Sequence, residues 1–350
     1  MKNKYSFFEQ LLHKMTVANP MFNDVSFGIE KNLFLSHAAA TEPNIIFITG
    51  LARSGTTSIL NHLTHAEVGH SLTYNDLPFL FMPNASSWFW KKKKTSALVE
   101  RAHGDSILIN QDSPEAIDEI FWKYQLENEY IDAMYLKSHR VKTEDVHQYK
   151  HFIRLHLSKA GKSVYLTKNN NTILRIKSLL ENTSLKASYI FALRDPLSHA
   201  ISLLKQHRLF TIMHKEDSFS LSYFNSMGHH EFGMNQKAFC FNDEGVNQSF
   251  GNLDKFQLDY WLHTWLNYHR FLLSLPYEKL IFVSFDDLCA NPTEIMAQVV
   301  STCQVKATIQ PIRPHKAPNY HDINEPYSNE LLADCQAVYL NLKSRCLSTK

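Results

Sequence analysis

The chain has 350 residues, 44% of them hydrophobic and 12% aromatic, which is enough apolar material to bury a sizeable core. Its 36 Lys and Arg against 34 Asp and Glu leave a formal charge of +2, so no global field gathers nucleic acid or a membrane surface, and any preference for anions rests on local groups. Five cysteines (Cys240, Cys289, Cys303, Cys335, Cys346) lack zinc-ligand spacing, and their odd number argues against a closed disulfide framework, so a reducing, cytoplasmic setting is expected.

Residues 1–15 hold only short apolar pairs, Phe7-Phe8 and Leu11-Leu12, which suits neither a signal-peptide core nor a membrane span; no stable membrane insertion is expected. Asn44–Thr49 is a short apolar run that reads as a buried strand leading into a helix over 58–63. The aromatic patch Trp88-Phe89-Trp90 precedes four lysines at 91–94, read as a solvated helix end or loop, with a membrane-surface or acidic-acceptor contact as the other reading. Helical patterns cover 115–126, 172–180 and 256–273. Further strands are expected over 163–167, Ala187–Leu193 and 279–285, the first of these the weakest.

The segment Gly50-Leu51-Ala52-Arg53-Ser54-Gly55-Thr56-Thr57 joins the first strand to its helix, the order of a phosphate-binding loop. Gly50 and Gly55 allow positive φ and close approach, so backbone N–H groups and the helix N-terminus converge on one anion. A nucleotide-triphosphatase loop would place lysine where Thr56 stands; here the cation is Arg53, whose planar fork suits a compact tetrahedral anion. The other reading is a turn that only reverses the chain. Strands alternating with helices predict an α/β fold, a P-loop NTPase-like parallel β-sheet flanked by helices on both faces, with helical insertions. No repeat or linker divides the chain, so one domain over 1–350 is expected, with a nucleotide-binding core at about 44–300.

A second signal follows the strand Ala187–Leu193: Arg194-Asp195-Pro196 places a cation at the strand's carboxyl end, with Asp195 as N-cap and Pro196 at the first helical position. Ser198 and Ser202 lie one turn apart on that helix, and an arginine with a helical hydroxyl forms a receptor for a second phosphate. Read as structure alone, Arg194 and Asp195 are an ordinary cap and ion pair.

With these residues the chain resembles the sulfotransferases that use 3′-phosphoadenosine 5′-phosphosulfate (PAPS), in particular a bacterial-type branch related to tyrosylprotein and carbohydrate sulfotransferases. In that family such a loop binds the 5′-phosphosulfate, and an arginine with a serine eight positions later binds the 3′-phosphate; Arg194 and Ser202 have that spacing. The segments His103-Gly104-Asp105, Asp112-Ser113-Pro114-Glu115-Ala116, Lys168-Asn169-Asn170-Asn171 and Gly228-His229-His230-Glu231-Phe232-Gly233 extend the resemblance over most of 44–300. Val283-Ser284-Phe285-Asp286-Asp287-Leu288 resembles the family's late Tyr-Glu-x-Leu element, with Phe285 in place of tyrosine.

The resemblance implies sulfuryl transfer from PAPS to an acceptor hydroxyl or amine of a small molecule, glycan or lipid head group, with no metal required and no nucleic-acid partner. It implies that Arg53, Ser54, Gly55, Thr56 and Thr57 hold the phosphosulfate and Arg194 and Ser202 the 3′-phosphate. In-line transfer needs stabilised charge on the transferring group and a base for the acceptor. Lys168 matches a lysine that faces the sulfuryl group in tyrosylprotein-type relatives; otherwise it is a solvated or structural lysine. For the base, Asp76 is the carboxylate about two dozen residues past the loop, or else it caps a turn before Pro78. His103 with Asp105 is the alternative base and orienter, or a hydrogen-bonded loop pair. His229-His230-Glu231 suggests a metal only superficially, since its spacing is not the helical HExxH pattern, and His207 reads as structure. Two rival functions stay open: a kinase or nucleotide hydrolase using ATP and magnesium, and a non-catalytic sensor of PAPS or its desulfated product.

Overall fold

The computed structural model describes residues 7–38, 42–90, 99–100, 108–182, 184–241, 253–317 and 325–348. At its centre four parallel strands run in the order Val164–Lys168, Asn44–Thr49, Ala187–Leu193, Leu280–Ser284. Their near-continuous apolar runs are what a strand covered on both faces requires. Side-chain alternation sorts the two faces. Ile46, Ile48, Leu166, Ile190, Ala192 and Val283 pack with Ile59, Leu60 and Leu63 of the helix Thr56–His65 and with Ile295, Met296 and Val299 of the helix Pro292–Thr302. Ile45, Phe47, Tyr165, Tyr189 and Phe191 face a second layer that includes the helices Thr143–Ala160, Pro196–Glu216 and Leu258–Leu273. Phe47 stacks on Tyr189 with ring centres 5.1 Å apart. Each such fully buried side chain contributes roughly 1.5–3 kcal/mol. The architecture is the P-loop NTPase-like α/β fold that the alternation of strands and helices predicts.

Two expected helices are shorter than their patterns. The helix predicted over 115–126 is observed as Glu119–Gln125, because Glu115 N–H donates to Leu72 O and Pro114 bridges Thr73, which keeps 114–115 extended. The pattern over 172–180 divides into a 3-10 turn, Asn170–Leu174, and a helix, Ile176–Glu181, with the Asn169 side chain accepting from Asn171 N–H.

The register places the functional segments together. Ile48 pairs with Lys168, Thr49 with Phe191 and Leu193 with Ser284, so the glycine loop, Lys168, Arg194 and Phe285 all leave the sheet along one carboxyl edge. Behind that edge lies a buried ion pair: Arg175 Nη1 and Nη2 each donate to Glu119 at 2.9 Å, and Asn169 Nδ2 donates to the same carboxylate at 2.7 Å. Among the described residues no helix is long and apolar enough to cross a membrane.

Candidate active site at the carboxyl edge of the sheet

The glycine loop is closed by its own backbone. Ser54 N–H donates to Leu51 O at 3.1 Å, so the amide of Ser54, expected to face the anion, is already engaged. The N–H groups of Thr56 and Thr57 open the helix Thr56–His65, where helix geometry provides no acceptor for them, so they are donors available to a ligand. Ser54 contributes its side chain instead: the hydroxyl is buried without a hydrogen-bond partner, the condition of a donor that an incoming anion satisfies. Gly55 has φ 105°, and a Cβ there would lie 2.5 Å from Phe285 Cδ2. Gly55→Ala therefore meets both a left-handed backbone and an aromatic ring. We expect a stability loss of about 1–3 kcal/mol by urea titration together with weakened nucleotide binding.

Arg53 is a non-glycine residue with φ 72°, a backbone that persists only when its surroundings hold it. Two contacts do so. Arg194 Nη1 donates to Arg53 O at 3.1 Å, and Arg53 Nε donates to Ser202 Oγ at 3.4 Å. The loop and the Arg194/Ser202 motif are thus one structure, joined across 141 and 149 residues of sequence. Arg53 turns toward the Ser202 side of the site. The helix Pro196–Glu216 starts as the sequence predicts, with Asp195 Oδ1 accepting from Ser198 N–H at 2.9 Å. One turn in, His199 Nε2 bonds to Ala52 O at 2.7 Å; burial, then Arg194, pushes this imidazole well below its ordinary range, so it is neutral and donates. Arg194 is buried, with its guanidinium carbon 4.8 Å from the Phe285 ring centre. Phe285 therefore backs both Gly55 and Arg194.

Lys168 is buried at the end of its strand. Its Nζ donates to Thr57 Oγ1 at 3.1 Å and to Glu115 Oε1 at 2.7 Å, which links the loop to a carboxylate. Glu115 is itself held, its Oε1 accepting from Ala116 N–H at 2.8 Å and its Oε2 from Tyr74 O–H at 3.0 Å. Next to this pair lies another. Asn170, two residues past Lys168, donates to Glu231 Oε1 at 3.0 Å, and Glu231 Oε2 is 3.5 Å from His229 Nδ1. Burial opposes charge on Glu231, but His229 and Asn170 outweigh it and hold the carboxyl at about 2. Burial likewise opposes charge on His229, yet Glu231 and Glu115 outweigh it, against Lys168, and leave the imidazole above its ordinary range.

The expected bases fall differently. Asp76 Oδ2 accepts from Thr73 N–H at 2.8 Å and Thr73 O–H at 3.0 Å, the turn-closing arrangement that its position before Pro78 also allowed. Its charge acts on His156 and Tyr165, and Tyr165 lies on the opposite sheet face from Leu166 and Lys168. His103 and Asp105 lie outside the described residues, as do the lysines at 91–94. Among the described residues no group of three or more His, Cys, Asp or Glu side chains is placed to hold a metal, and His230 Nδ1 turns away from Glu231 to Asn235 O. Roles for Glu115, His229 and Glu231 were not assigned from sequence. Their signal was membership in segments resembling the family; the partners that hold them, Lys168 for Glu115 and Asn170 for Glu231, lie 53 and 61 residues away.

A glycine loop is tied to an arginine and a serine on the neighbouring strand's helix at one edge of the sheet. The chain belongs to the sulfotransferase family: that family's model matches residues 43–308, more than half of the chain. Its activity is sulfuryl transfer, and the kinase and hydrolase alternative is set aside. No curated protein matches it. Solved structures similar to it include a sulfotransferase of Mycobacterium tuberculosis (11% identity, 94% of this chain and 83% of that one, TM-score 0.44). Another is a sulfotransferase of Mycobacterium avium (13% identity, 99% and 80%, TM-score 0.44). A third is the sulfotransferase domain of a Synechococcus olefin synthase (14% identity, 88% and 97%, TM-score 0.36). At these scores the alignments add no argument to the family match.

Proposed function

We propose that the sulfuryl donor is PAPS, and that this chain transfers the group to a hydroxyl or amine of a small molecule, glycan or lipid head group in a reducing, cytoplasmic setting. The observation that carries the donor assignment is the direct joining of the loop to the second motif, Arg194 Nη1 to Arg53 O and Arg53 Nε to Ser202 Oγ. That junction puts two anion receptors on one edge, as a nucleotide with separate 5′ and 3′ acidic groups requires. The first receptor is made by the hydroxyls of Ser54, Thr56 and Thr57 with the first amides of the helix; the second is made by Arg194, Ser202 and Arg53.

PAPS, when bound, supplies a sulfuryl group activated by its anhydride link to phosphate. The chain's own groups then hold charge. Thr56 and Thr57 N–H donate to the leaving phosphate oxygens, where the helix N-terminus favours negative charge. Lys168, buried beside Thr57 and paired with Glu115, offers its ammonium as a hydrogen-bond donor on the sulfuryl side. Glu115 and Tyr74 fix the lysine's position, so little reorganisation accompanies the transfer.

Thermal shift tests the donor. 3′,5′-Adenosine bisphosphate at a hundred times its Kd should add about 2.7 kcal/mol of stability, with 5′-AMP giving much less. Stabilisation by ATP with magnesium and none by the bisphosphate would overturn the assignment.

A further inference from the structure

We infer that His229 takes the acceptor's proton, with Glu231 and Asn170 as its positioning residues. The inference rests on the PAPS reading above and assigns a group that the reading leaves unnamed. Lys168 joins Thr57 to Glu115, and just past Lys168 Asn170 Nδ2 donates to Glu231 Oε1 at 3.0 Å and Asn171 Nδ2 to Gly228 O at 3.2 Å, which ties the His229 segment to the same strand exit. The donor's sulfuryl group belongs beside the Thr57–Lys168 contact, and we place the acceptor, in line beyond it, on the side of the His229 segment.

Glu115 is the nearer carboxylate, but its oxygens already accept three hydrogen bonds, from Lys168, Ala116 N–H and Tyr74. It serves as the anchor of the lysine. His229 has its Nδ1 turned to Glu231, which leaves Nε2 as the basic atom, the division of labour that a carboxylate imposes on a catalytic imidazole. Glu231 is held in turn by Asn170, and Asn169, the preceding residue, is anchored on the buried Glu119–Arg175 pair. The imidazole is therefore fixed to the same strand exit that carries Lys168. In the step, the acceptor O–H or N–H proton passes to Nε2, the acceptor atom bonds to sulfur, and the sulfur–oxygen bond to the 5′-phosphate breaks. The electron pair of that bond leaves with 3′,5′-adenosine bisphosphate.

The charged groups acting on His229 are Glu231 and Glu115, which favour its protonated form, and Lys168, which opposes it. A base held above its ordinary range works only once it is deprotonated, so turnover should rise with pH through a midpoint above that of an ordinary histidine. The test follows bisphosphate release from PAPS with water as acceptor, from pH 5 to 9, for the native chain, His229→Gln and Glu231→Gln. His229→Gln should lower the rate by about a hundredfold and flatten the profile, while stabilisation by the bisphosphate is kept. Glu231→Gln should move the midpoint down and cost about tenfold. An NMR titration of the His229 ring gives the same midpoint without turnover, and a midpoint that Glu231→Gln leaves unmoved overturns the positioning role. A pH profile unchanged in His229→Gln, or one lost only in Glu115→Gln or Asp76→Asn, overturns the base. Failure of the native chain to bind the bisphosphate is a different result and sinks the donor assignment instead.

Discussion

Arg194→Ala should weaken binding of 3′,5′-adenosine bisphosphate by about two to three orders of magnitude, roughly 3–4 kcal/mol, with the fold retained. Arg194 is only 4% exposed, so its charge acts on an anion with little screening by water. It also donates to Arg53 O and so holds the left-handed Arg53 in place, and its removal loosens the loop along with the second receptor. Arg194→Lys should recover only part of the loss, because an ammonium has no planar fork to serve a carbonyl and a phosphate together, and it loses the contact over Phe285. Isothermal titration checks both variants. An Arg194→Ala protein that binds within threefold of the native one would remove this residue from the site.

Lys168→Ala should lower kcat by about 10²–10³ while KM for the donor changes by less than about threefold. The expectation follows from the proposed donor pose, in which Lys168, hydrogen-bonded to Thr57, meets the transferring group and not the adenosine. Its loss also leaves Glu115, a side chain 11% exposed, with Ala116 N–H and Tyr74 but no cation. A stability cost therefore accompanies the kinetic one. The double variant Lys168→Met with Glu115→Gln separates the two: stability should return and kcat should not. Recovery of kcat in the double variant would show that Lys168 only neutralises Glu115.

Much of the nucleotide end was legible because its signals are local. Gly55 at φ 105° and the cap of Asp195 on Ser198 depend on a few consecutive residues, and the chain states them without reference to the rest of the fold. Strand identity was legible for a similar reason, since a strand covered on both faces has to be a short continuous apolar run. Helix starts were less legible. Glu115 and its neighbours have a helical pattern, yet pairing with Leu72 and Thr73 holds them extended and delays the helix to Glu119. That pairing is a tertiary fact with no trace in the pattern.

The transfer end was mostly hidden. Asp76 lies about where the sequence puts it past the loop, and Thr73, three residues away, donates two hydrogen bonds to it. A turn of this kind costs little chain entropy, so a carboxylate that can close one locally does so. Glu115 reaches Lys168 across 53 residues and Glu231 reaches Asn170 across 61, separations at which neither composition nor periodicity pairs side chains.

By itself, then, the sequence determined that this protein alternates strands with helices, carries a glycine loop with Arg53 inside it and Thr56 at the position of a nucleotide-triphosphatase lysine, and sets an arginine and a serine eight positions apart beyond a second strand. Each of these is a property of backbone conformation over a few residues. Only the tertiary structure decided that Arg53 serves Ser202, that Phe285 supports Gly55 and Arg194, that Lys168 pairs with Glu115, and that Asn170 holds Glu231 beside His229. Those contacts depend on the register of parallel strands whose partners are distant in the chain, and a shift of one residue in that register would turn Lys168 to the other face.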